Sequence, residues 1–303
     1  MTTEHACDVS IVLPVYNESG HLTDEIDRIR KAMDESEYSY EIIVVDDGST
    51  DGSGERLRQI DGIQLIQFAQ NRGAGAVRRW GTHAARGRVV VWTDVDMSYP
   101  NEEIPDLVAE MEAGGLDQLV GARTSEQGTM RLARTPAKWV IRRLASYLTG
   151  VHILDLNSGL RVFRREVGSQ FLHLLPRGFS CVTTLTMAFL TNGYSVGYRP
   201  IEYSVREGES KFHWWSDTRR YLLQVVRMAL MWEPMRVFGP LIIVFGGVGS
   251  AKLVFDLIDK SFRVATNTLV ILGVGVTFAL VGMIADLLVQ LNRQKSSVPP
   301  VSI

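Results

Sequence analysis

The sequence is poor in cysteine and carries almost no net charge. Only Cys7 and Cys181 occur among its 303 residues, far apart, which excludes a disulfide framework and a four-cysteine zinc site. The formal charge of -2 gives no overall attraction to nucleic acid, so we expect no nucleic-acid partner. The first residues, Met-Thr-Thr-Glu-His, lack the basic start and apolar run of a secretory signal. These absences favour a reducing, cytoplasmic setting for the N-terminal part.

Long apolar runs are missing from most of the chain and appear only near its C-terminal end. Residues 237–255, interrupted by Lys252, and residues 268–291, interrupted by Asp286, each approach the roughly 20 residues that a membrane-spanning helix needs. Their glycine content is common in membrane helices, whereas buried core helices are the alternative. We therefore predict two transmembrane helices within residues 237–292.

The charges that flank these runs predict their orientation. Arg236 precedes the first run, and Arg293 and Lys295 follow the second, which places both ends on the cytoplasmic side. The short loop around Asp259 would then lie outside. We expect a multi-pass protein of the plasma membrane with its catalytic part and a tail at 293–303 in the cytoplasm.

Buried strands alternate with helical segments over the first 121 residues. Strands are predicted at residues 9–15, 41–45, 63–68, directly before Asp94, and at 117–121, with helices reaching about Asp34 and covering about 102–113. This alternation predicts an α/β fold with a mostly parallel sheet. Ligands of such sheets bind at the carboxyl ends of the strands.

An apolar run of strand type within residues 89–98 ends in two carboxylates. Asp94 and Asp96 are separated by one residue, so they point to the same side and can share a hard cation, Mg²⁺ or Mn²⁺. An acidic turn without a ligand is the alternative. A glycine-rich loop at 71–76 lacks the third glycine of the dinucleotide-binding pattern, which argues against a nicotinamide site.

Basic residues are concentrated between Arg123 and Arg165, where nine arginines and lysines face only two acidic residues. This cluster is either a solvated helix face or a binding site for a phosphate group.

Several motifs occur together in order along nearly the whole chain. They are Leu13-Pro14-Val15-Tyr16-Asn17-Glu18, Asp46-Asp47-Gly48-Ser49, Asp94-Val95-Asp96, Asp155-Leu-Asn-Ser158-Gly159-Leu-Arg161 and Arg206-Glu-Gly-Glu-Ser210-Lys211. With the two apolar runs, the chain resembles the inverting family 2 glycosyltransferases with the GT-A nucleotide-sugar-binding fold. Within that family it is most similar to polyprenyl-phosphate glycosyltransferases of the dolichol-phosphate mannose synthase type.

The resemblance implies a set of donor and metal residues. Pro14, Tyr16, Glu18 and Asp47 would hold the nucleotide end of a nucleotide-sugar donor, and Arg206 and Lys211 would neutralise its diphosphate. Asp94 would lie on the diphosphate side, and Asp96 would bind Mg²⁺ or Mn²⁺ most directly. Ser98 stands where relatives often have a glutamine, so this chain departs from the family pattern at the position of a third side-chain ligand.

The resemblance also implies an acceptor site and a reaction. Arg123, Arg134, Lys138 and Arg143 would bind the acceptor phosphate, with Lys138 in the place of a serine in relatives. The reaction would move one sugar from a UDP- or GDP-sugar to a polyprenyl phosphate with inversion, and Asp94, Asp96, Arg123 and Arg206 would act in catalysis. A phosphate oxygen is already anionic at neutral pH, so we assign no general base.

The remaining segments and the rival functions complete the predictions. Residues 1–211 would form the catalytic domain and 212–236 an amphipathic helix at the membrane interface, while small faces such as Gly246-Gly247 offer packing for a homo-oligomer. A transferase to another lipid such as diacylglycerol, a processive polysaccharide synthase suggested by Gln224-x-x-Arg227, and a non-catalytic membrane scaffold are the alternatives.

Overall fold

A single mixed sheet organises the N-terminal part of the computed structural model. The structure describes residues 7–124, 143–148, 150–178, 180–204, 214–259 and 263–296. The strands are β1 (Val9–Val15), β2 (Tyr40–Asp46), β3 (Ile63–Gln67), β4 (Val89–Trp92), β5 (Gln118–Arg123), β6 (Arg161–Arg164) and β7 (Val196–Ile201). Their order across the sheet is β3-β2-β1-β4-β6-β5-β7. Only β6 among these strands runs antiparallel to its neighbours, so the predicted, mostly parallel sheet is confirmed.

Helices connect the strands and cover both faces of the sheet. They are α1 (Leu22–Asp34), α2 (Ser53–Leu57), α3 (Ala74–Ala84), α4 (Ile104–Ala113), α5 (143–148), α6 (Arg165–Gln170) and α7 (Cys181–Thr191). Three further helices follow the last strand: α8 (Trp214–Trp232), α9 (Pro234–Asp259) and α10 (Thr266–Ser296). Helices α1 and α4 pack together on one face, and α3 contacts α6 and α7 on the other. A one-turn 3-10 helix, Asn101–Glu103, precedes α4.

The alternation of side chains along β1 fixes which helix meets which face. Ile11 and Leu13 belong to one buried cluster with Ile26 of α1, while Val12 points the opposite way. A Cβ added at Gly81 of α3 would collide with the Val12 side chain, so α3 lies directly against β1. The absence of a side chain at position 81 therefore sets the distance between helix and sheet.

The antiparallel direction of β6 determines which loop lies beside the carboxyl end of β4. Trp92 at the end of β4 pairs with Arg161 at the start of β6. The residues just before β6, Ser158 and Gly159, consequently lie at the same edge as the carboxyl end of β4. The loop that precedes an antiparallel strand thus joins the loops that follow the parallel ones.

The chain divides into two compact units, residues 1–146 with 151–224 and residues 147–150 with 225–303. The second unit contains α9 and α10, which are long and apolar enough to cross a membrane. A Cβ at Gly249 would lie 2.7 Å from the Leu272 side chain, so the two helices are in close contact. Their outer surfaces expose large apolar side chains such as Ile258, 79% exposed, which a soluble core helix would bury. The two predicted apolar helices are therefore present.

Candidate active site

Asp94 is held by a buried arginine that the sequence reasoning did not single out. Its Oδ1 atom accepts a hydrogen bond from Nη2 of Arg78 at 2.6 Å, and Arg78 is 2% exposed. The Arg78 guanidinium also lies over the Trp92 ring, 5.7 Å from its centroid. The Asp94 side chain itself keeps a third of its surface exposed. A fixed cation therefore orients one carboxylate of the pair at the open edge of the sheet.

Asp96 lies deeper and is bonded within its own turn. Its Oδ1 atom accepts hydrogen bonds from the backbone N–H of Ser98, at 3.2 Å, and from the Ser98 hydroxyl. Met97 between them has φ of +58°, in the left-handed region that costs a residue with a side chain roughly 1–2 kcal/mol. Ser98 thus orients the Asp96 carboxylate, and the turn that does so is strained.

A second buried acid, Glu25 of α1, lies beneath this turn. Oε1 of Glu25 accepts a hydrogen bond from Nδ2 of Asn101 at 2.8 Å, and Oε2 accepts one from the Met97 N–H at 3.0 Å. Nη2 of Arg28 lies 2.8 Å from Oε1. Burial raises the pKa of Glu25, while Asn101, Arg28 and the Met97 N–H partly oppose that rise. Glu25 is therefore a fully buried acceptor at the base of the Asp94-Asp96 turn.

Gly159 packs closely against the second carboxylate oxygen of Asp94. A Cβ at this position would lie 2.6 Å from Oδ2 of Asp94 and 3.1 Å from the Tyr99 ring. The Gly159 N–H donates to the Tyr99 hydroxyl at 2.6 Å, and burial raises the pKa of that phenol. The Ser158-Gly159 turn therefore fits against Asp94 because residue 159 has no side chain.

The loops after β1 and β2 form one hydrogen-bonded unit. The bonds join Asn17 to Ser49 and Thr50, Glu18 to Ser53, and Ser19 to Asp51. Asn17 adopts φ of +55° in this arrangement. Pro14, Tyr16 and Glu18 are half-buried along this edge. The structure thus places the predicted donor residues of β1 beside the turn that follows β2.

Asp47 binds backbone groups of a third loop. Its two carboxylate oxygens accept hydrogen bonds from the N–H groups of Arg72, at 2.7 Å, and Gly73, at 2.8 Å. Burial raises the pKa of Asp47, and these two N–H groups partly oppose the rise. Asp46, by contrast, accepts a hydrogen bond from the Ser49 N–H within its own turn, as acidic residues in turns commonly do. Asp47 therefore shapes the loop that begins α3, the helix carrying Arg78.

Two glycines of that loop, Gly73 and Gly75, allow it to pack closely against residues 176–177. A Cβ at Gly73 would collide with the Arg177 carbonyl, and one at Gly75 with the Pro176 carbonyl. The Gly75 N–H donates to the Arg177 carbonyl at 2.8 Å. The backbone of residues 176–177 therefore lies against the start of α3. In the dinucleotide-binding pattern, which this sequence does not match, a phosphate takes that place.

Arg123 lies at the carboxyl end of β5 in an ion pair. Its Nε and Nη2 atoms donate to the two oxygens of Asp155 at 2.8 and 3.1 Å, and both side chains are 13% exposed. Its guanidinium also lies 5.3 Å from the Tyr203 ring centroid. Burial raises the pKa of Asp155, but Arg123 outweighs it and the net shift is downward. The predicted acceptor residue is thus positioned by Asp155.

Arg161 anchors the loop that carries Asp155 and Gly159. It is fully buried and donates to the Val182 carbonyl at 2.6 Å, to the Thr186 hydroxyl at 2.8 Å and to the Ser158 carbonyl. Burial lowers the pKa of Arg161 to about 10, and the nearby Arg78 contributes to this shift. A buried cation with these neutral acceptors fixes the 155–161 loop against α7.

Several predicted residues remain untested. Arg134, Lys138, Arg206 and Lys211 lie outside the described residues. Arg143 is exposed in α5. Gln224, part of the pattern that suggested a processive synthase, donates to the Thr184 hydroxyl at 3.0 Å and is buried. Its observed contact is therefore one between helices.

The donor set at the end of β4 suits a hard divalent cation. Asp94 and Asp96 supply carboxylate oxygens, the ligands that Mg²⁺ and Mn²⁺ prefer. Within the described ranges, no group of three or more histidines, cysteines or acids could hold a metal alone. Two carboxylates are sufficient for a cation that takes its other ligands from a diphosphate and water. The residues present fit a cation bound together with a nucleotide diphosphate.

The residues that the sequence reasoning missed share a recognisable signal. Glu25 lies on the buried face of α1 with Leu22, Ile26 and Ile29, and Arg78 lies on the buried face of α3. A charge at a position where helical spacing places apolar residues must be paired inside the fold. Apart from Arg28 on α1 itself, the partners of these charges follow β4, so they could be found only once the sheet order was known.

The solved structures with the same fold include an enzyme in complex with a nucleotide sugar. Glucosyl-3-phosphoglycerate synthase from Mycobacterium tuberculosis, in complex with Mn²⁺, UDP-glucose and phosphoglyceric acid, superposes with a TM-score of 0.60 at 20% identity. The match covers 74% of this chain and 80% of that one. The same enzyme has been solved with Mg²⁺ and UDP. These neighbours confirm the predicted GT-A fold.

Sequence relatives agree with this fold. Dodecaprenyl-phosphate galacturonate synthase from Rhizobium johnstonii is 26% identical over 91% of this chain and 85% of its own length. Undecaprenyl-phosphate 4-deoxy-4-formamido-L-arabinose transferase from Aeromonas hydrophila is 34% identical over 67% of this chain, which spans 62% of that relative. The model of the family described as "Glycosyl transferase family 2" matches residues 10–171. The chain therefore belongs to glycosyl transferase family 2, as its motifs predict.

Proposed function

We propose that the chain moves one sugar from a nucleotide-sugar donor to a polyprenyl phosphate at a membrane. The observation that carries this proposal is the placement of Asp94 and Asp96 together at the carboxyl edge of the sheet, with Arg123 at the end of β5. The names of two relatives, a dodecaprenyl-phosphate galacturonate synthase and an undecaprenyl-phosphate 4-deoxy-4-formamido-L-arabinose transferase, support a polyprenyl phosphate as the acceptor. The apolar helices α9 and α10 support access to a lipid substrate.

The donor would bind across the carboxyl edge of the sheet. Tyr16, Glu18 and the Asp47 turn would contact its nucleotide, and Asp94 with Asp96 would hold Mg²⁺ or Mn²⁺ at the diphosphate. Such a cation neutralises the diphosphate and stabilises it as a leaving group. Arg78 keeps Asp94 oriented toward this place, and Ser98 does the same for Asp96.

The acceptor phosphate supplies the nucleophile, an oxygen that is already negatively charged. An anionic oxygen needs no strong base, so the obstacle is repulsion between two anions, which nearby cations reduce. Arg123, together with the predicted Arg134, Lys138, Arg143, Arg206 and Lys211, would supply these cations. Direct attack on the anomeric carbon inverts the configuration as the nucleoside diphosphate leaves.

The test is a transfer assay with the full chain in detergent. Polyprenyl phosphate, Mn²⁺ and a panel of UDP- and GDP-sugars would be incubated, and glycosylated lipid detected by mass spectrometry. We expect product from one donor, and a loss of at least about 100-fold with Asp96→Asn. Asp117→Asn, at the opposite edge of the sheet where Asp117 binds Ser195, is the matched control and should retain activity. Transfer to diacylglycerol alone, or no transfer from any donor, would contradict the proposal.

A further inference from the structure

Glu25 stands out because it is a completely buried carboxylate on a helix that supplies none of the predicted site residues. It lies on the apolar face of α1, between Leu22 and Ile26, and is 0% exposed. Burying a carboxylate is costly unless hydrogen bonds and charges compensate for the lost water. The hydrogen bonds and the ion pair around Glu25 are therefore what make its burial tolerable.

Its contacts converge on the turn that bears the two candidate metal ligands. One oxygen accepts from the backbone N–H of Met97, the residue directly after Asp96. The other accepts from the Asn101 amide, and that same amide donates to the Asp94 carbonyl at 3.2 Å. The Asn101 Oδ1 atom accepts from the hydroxyl of Thr93, the residue before Asp94. One carboxylate is therefore connected to the backbone at both ends of the pair.

The backbone at Met97 shows why the turn needs this support. A methionine at φ of +58° is strained, and such a conformation persists only when its surroundings determine it. The hydrogen bond from the Met97 N–H to Oε2 of Glu25 holds the backbone in this strained conformation. Release of this bond would let residues 96–98 relax and turn the Asp96 carboxylate away.

We infer that Glu25 is a positioning residue that holds Asp94 and Asp96 in register for a divalent cation through Met97 and Asn101. The inference rests on the proposed function, because it assumes that this carboxylate pair binds the metal. It extends the metal site to α1, a helix that supplies neither of the two ligands. Partners of metal ligands typically change metal affinity by 10–100-fold when they are removed.

The primary test measures Mn²⁺ binding, so it does not depend on turnover. Binding of Mn²⁺ in the presence of UDP or GDP would be titrated by electron paramagnetic resonance on the full chain in detergent. Glu25→Gln keeps the shape but replaces one acceptor oxygen by an NH₂ group that faces a donor, either the Met97 N–H or the Asn101 and Arg28 side chains, so we expect about 10-fold weaker binding. Glycosyl transfer should then require a correspondingly higher Mn²⁺ concentration. The transfer rate at saturating Mn²⁺ should change less.

A second substitution separates positioning from general damage to the fold. Glycine adopts positive φ without strain, so Met97→Gly in the Glu25→Gln background should recover much of the lost Mn²⁺ affinity. Glu41→Gln is the matched control, because Glu41 also accepts several hydrogen bonds, from Ser10 and Arg86, at the start of β2. It should lower the melting temperature and leave Mn²⁺ affinity unchanged.

The outcomes distinguish the inference from the function on which it rests. Unchanged Mn²⁺ affinity in Glu25→Gln, with the wild type binding well and Asp96→Asn binding poorly, would overturn the inference alone. Equal weakening in Glu41→Gln, or no recovery by Met97→Gly, would show a general loss of stability and also overturn it. A wild-type chain that binds no Mn²⁺ with either nucleotide would overturn the metal site itself.

Discussion

At the residue scale, the Arg123–Asp155 pair has both a structural and an electrostatic role. Asp155→Asn would leave the Arg123 cation in a mostly buried position without its anion, a change that costs on the order of 3 kcal/mol. We expect the melting temperature in detergent to fall by about 6–12 °C at pH 7. Asp27→Asn, which removes an exposed contact to Arg30 at 3.4 Å, should change it little.

The pH dependence of this loss follows from the lowered pKa of Asp155. A carboxyl whose pKa is lower in the folded state stabilises the fold above its unfolded pKa of about 3.9 and loses this effect as pH falls through the folded value. The difference between wild type and Asp155→Asn should therefore be complete above about pH 5 and shrink in more acidic buffer. A difference that stays constant down to pH 3 would contradict the assignment of the effect to this ion pair.

Gly159 provides a second prediction at this scale. In Gly159→Ala the new methyl group would lie 2.6 Å from Oδ2 of Asp94, so the carboxylate must move. Misplacement by about an ångström can cost up to roughly 100-fold in rate, and we expect a loss of about 10–100-fold in transfer activity. Gly178→Ala, where an added Cβ meets nothing within 4 Å, is the control. Activity in Gly159→Ala equal to that of the control would exclude close packing of Asp94 against this loop.

Individual site residues were predictable to different degrees. Asp94 and Asp96 follow a buried strand, so their place at the sheet edge follows from the sequence pattern alone, and the structure confirms that placement. The bonding of Asp47 to the loop before α3 was not predictable, because its partners are backbone groups 25 and 26 residues away. Local sequence specifies a side chain's position along a strand, but its partner depends on which loops meet in the folded sheet.

At the element scale, the contact between α3 and β1 gives a test of packing. Gly81→Ala inserts a methyl group against Val12 and should destabilise the fold by about 1–3 kcal/mol. Val12→Ala makes room at the same place, so the double variant should lose less stability than the sum of the single variants. Thermal unfolding of the four proteins measures this coupling. Strict additivity would mean that α3 shifts freely on the sheet.

The elements themselves were largely predictable, and one exception matters for the site. The alternating pattern predicted β1 to β5 and the helices α1 and α4, which the structure confirms within one or two residues at most of the ends that were given, whereas the short helix α2 was not predicted. The direction of β6 does not follow from its four residues, since a strand's composition does not encode its orientation. This reversal brings Gly159 beside Asp94, so that contact required the three-dimensional fold.

At the scale of the whole molecule, a buried acid of α9, Asp256, is hydrogen-bonded to residues at the start of α10. Oδ2 of Asp256 accepts hydrogen bonds from the Ala265 N–H, at 3.0 Å, and from the Thr268 hydroxyl, at 2.5 Å. These bonds join Asp256 to the residue just before α10 and to a side chain of the first turn of that helix. The acid and the connecting residues are therefore suited to a polar boundary of the membrane, where water and headgroups are close.

The predicted topology places this connection outside the membrane and the catalytic unit in the cytoplasm. Val264, 37% exposed just before α10, can be replaced by cysteine in a chain whose Cys7 and Cys181 are changed to serine. A maleimide that does not cross membranes should label Val264→Cys in intact spheroplasts, whereas Ser297→Cys in the predicted tail should react only after permeabilisation. This asymmetry follows because Arg236, Arg293 and Lys295 disfavour translocation of both outer ends. Labelling of both positions only after permeabilisation would mean that α9 and α10 do not span the membrane, and the lipid acceptor would then have to reach the carboxyl edge of the sheet from a surface-bound enzyme.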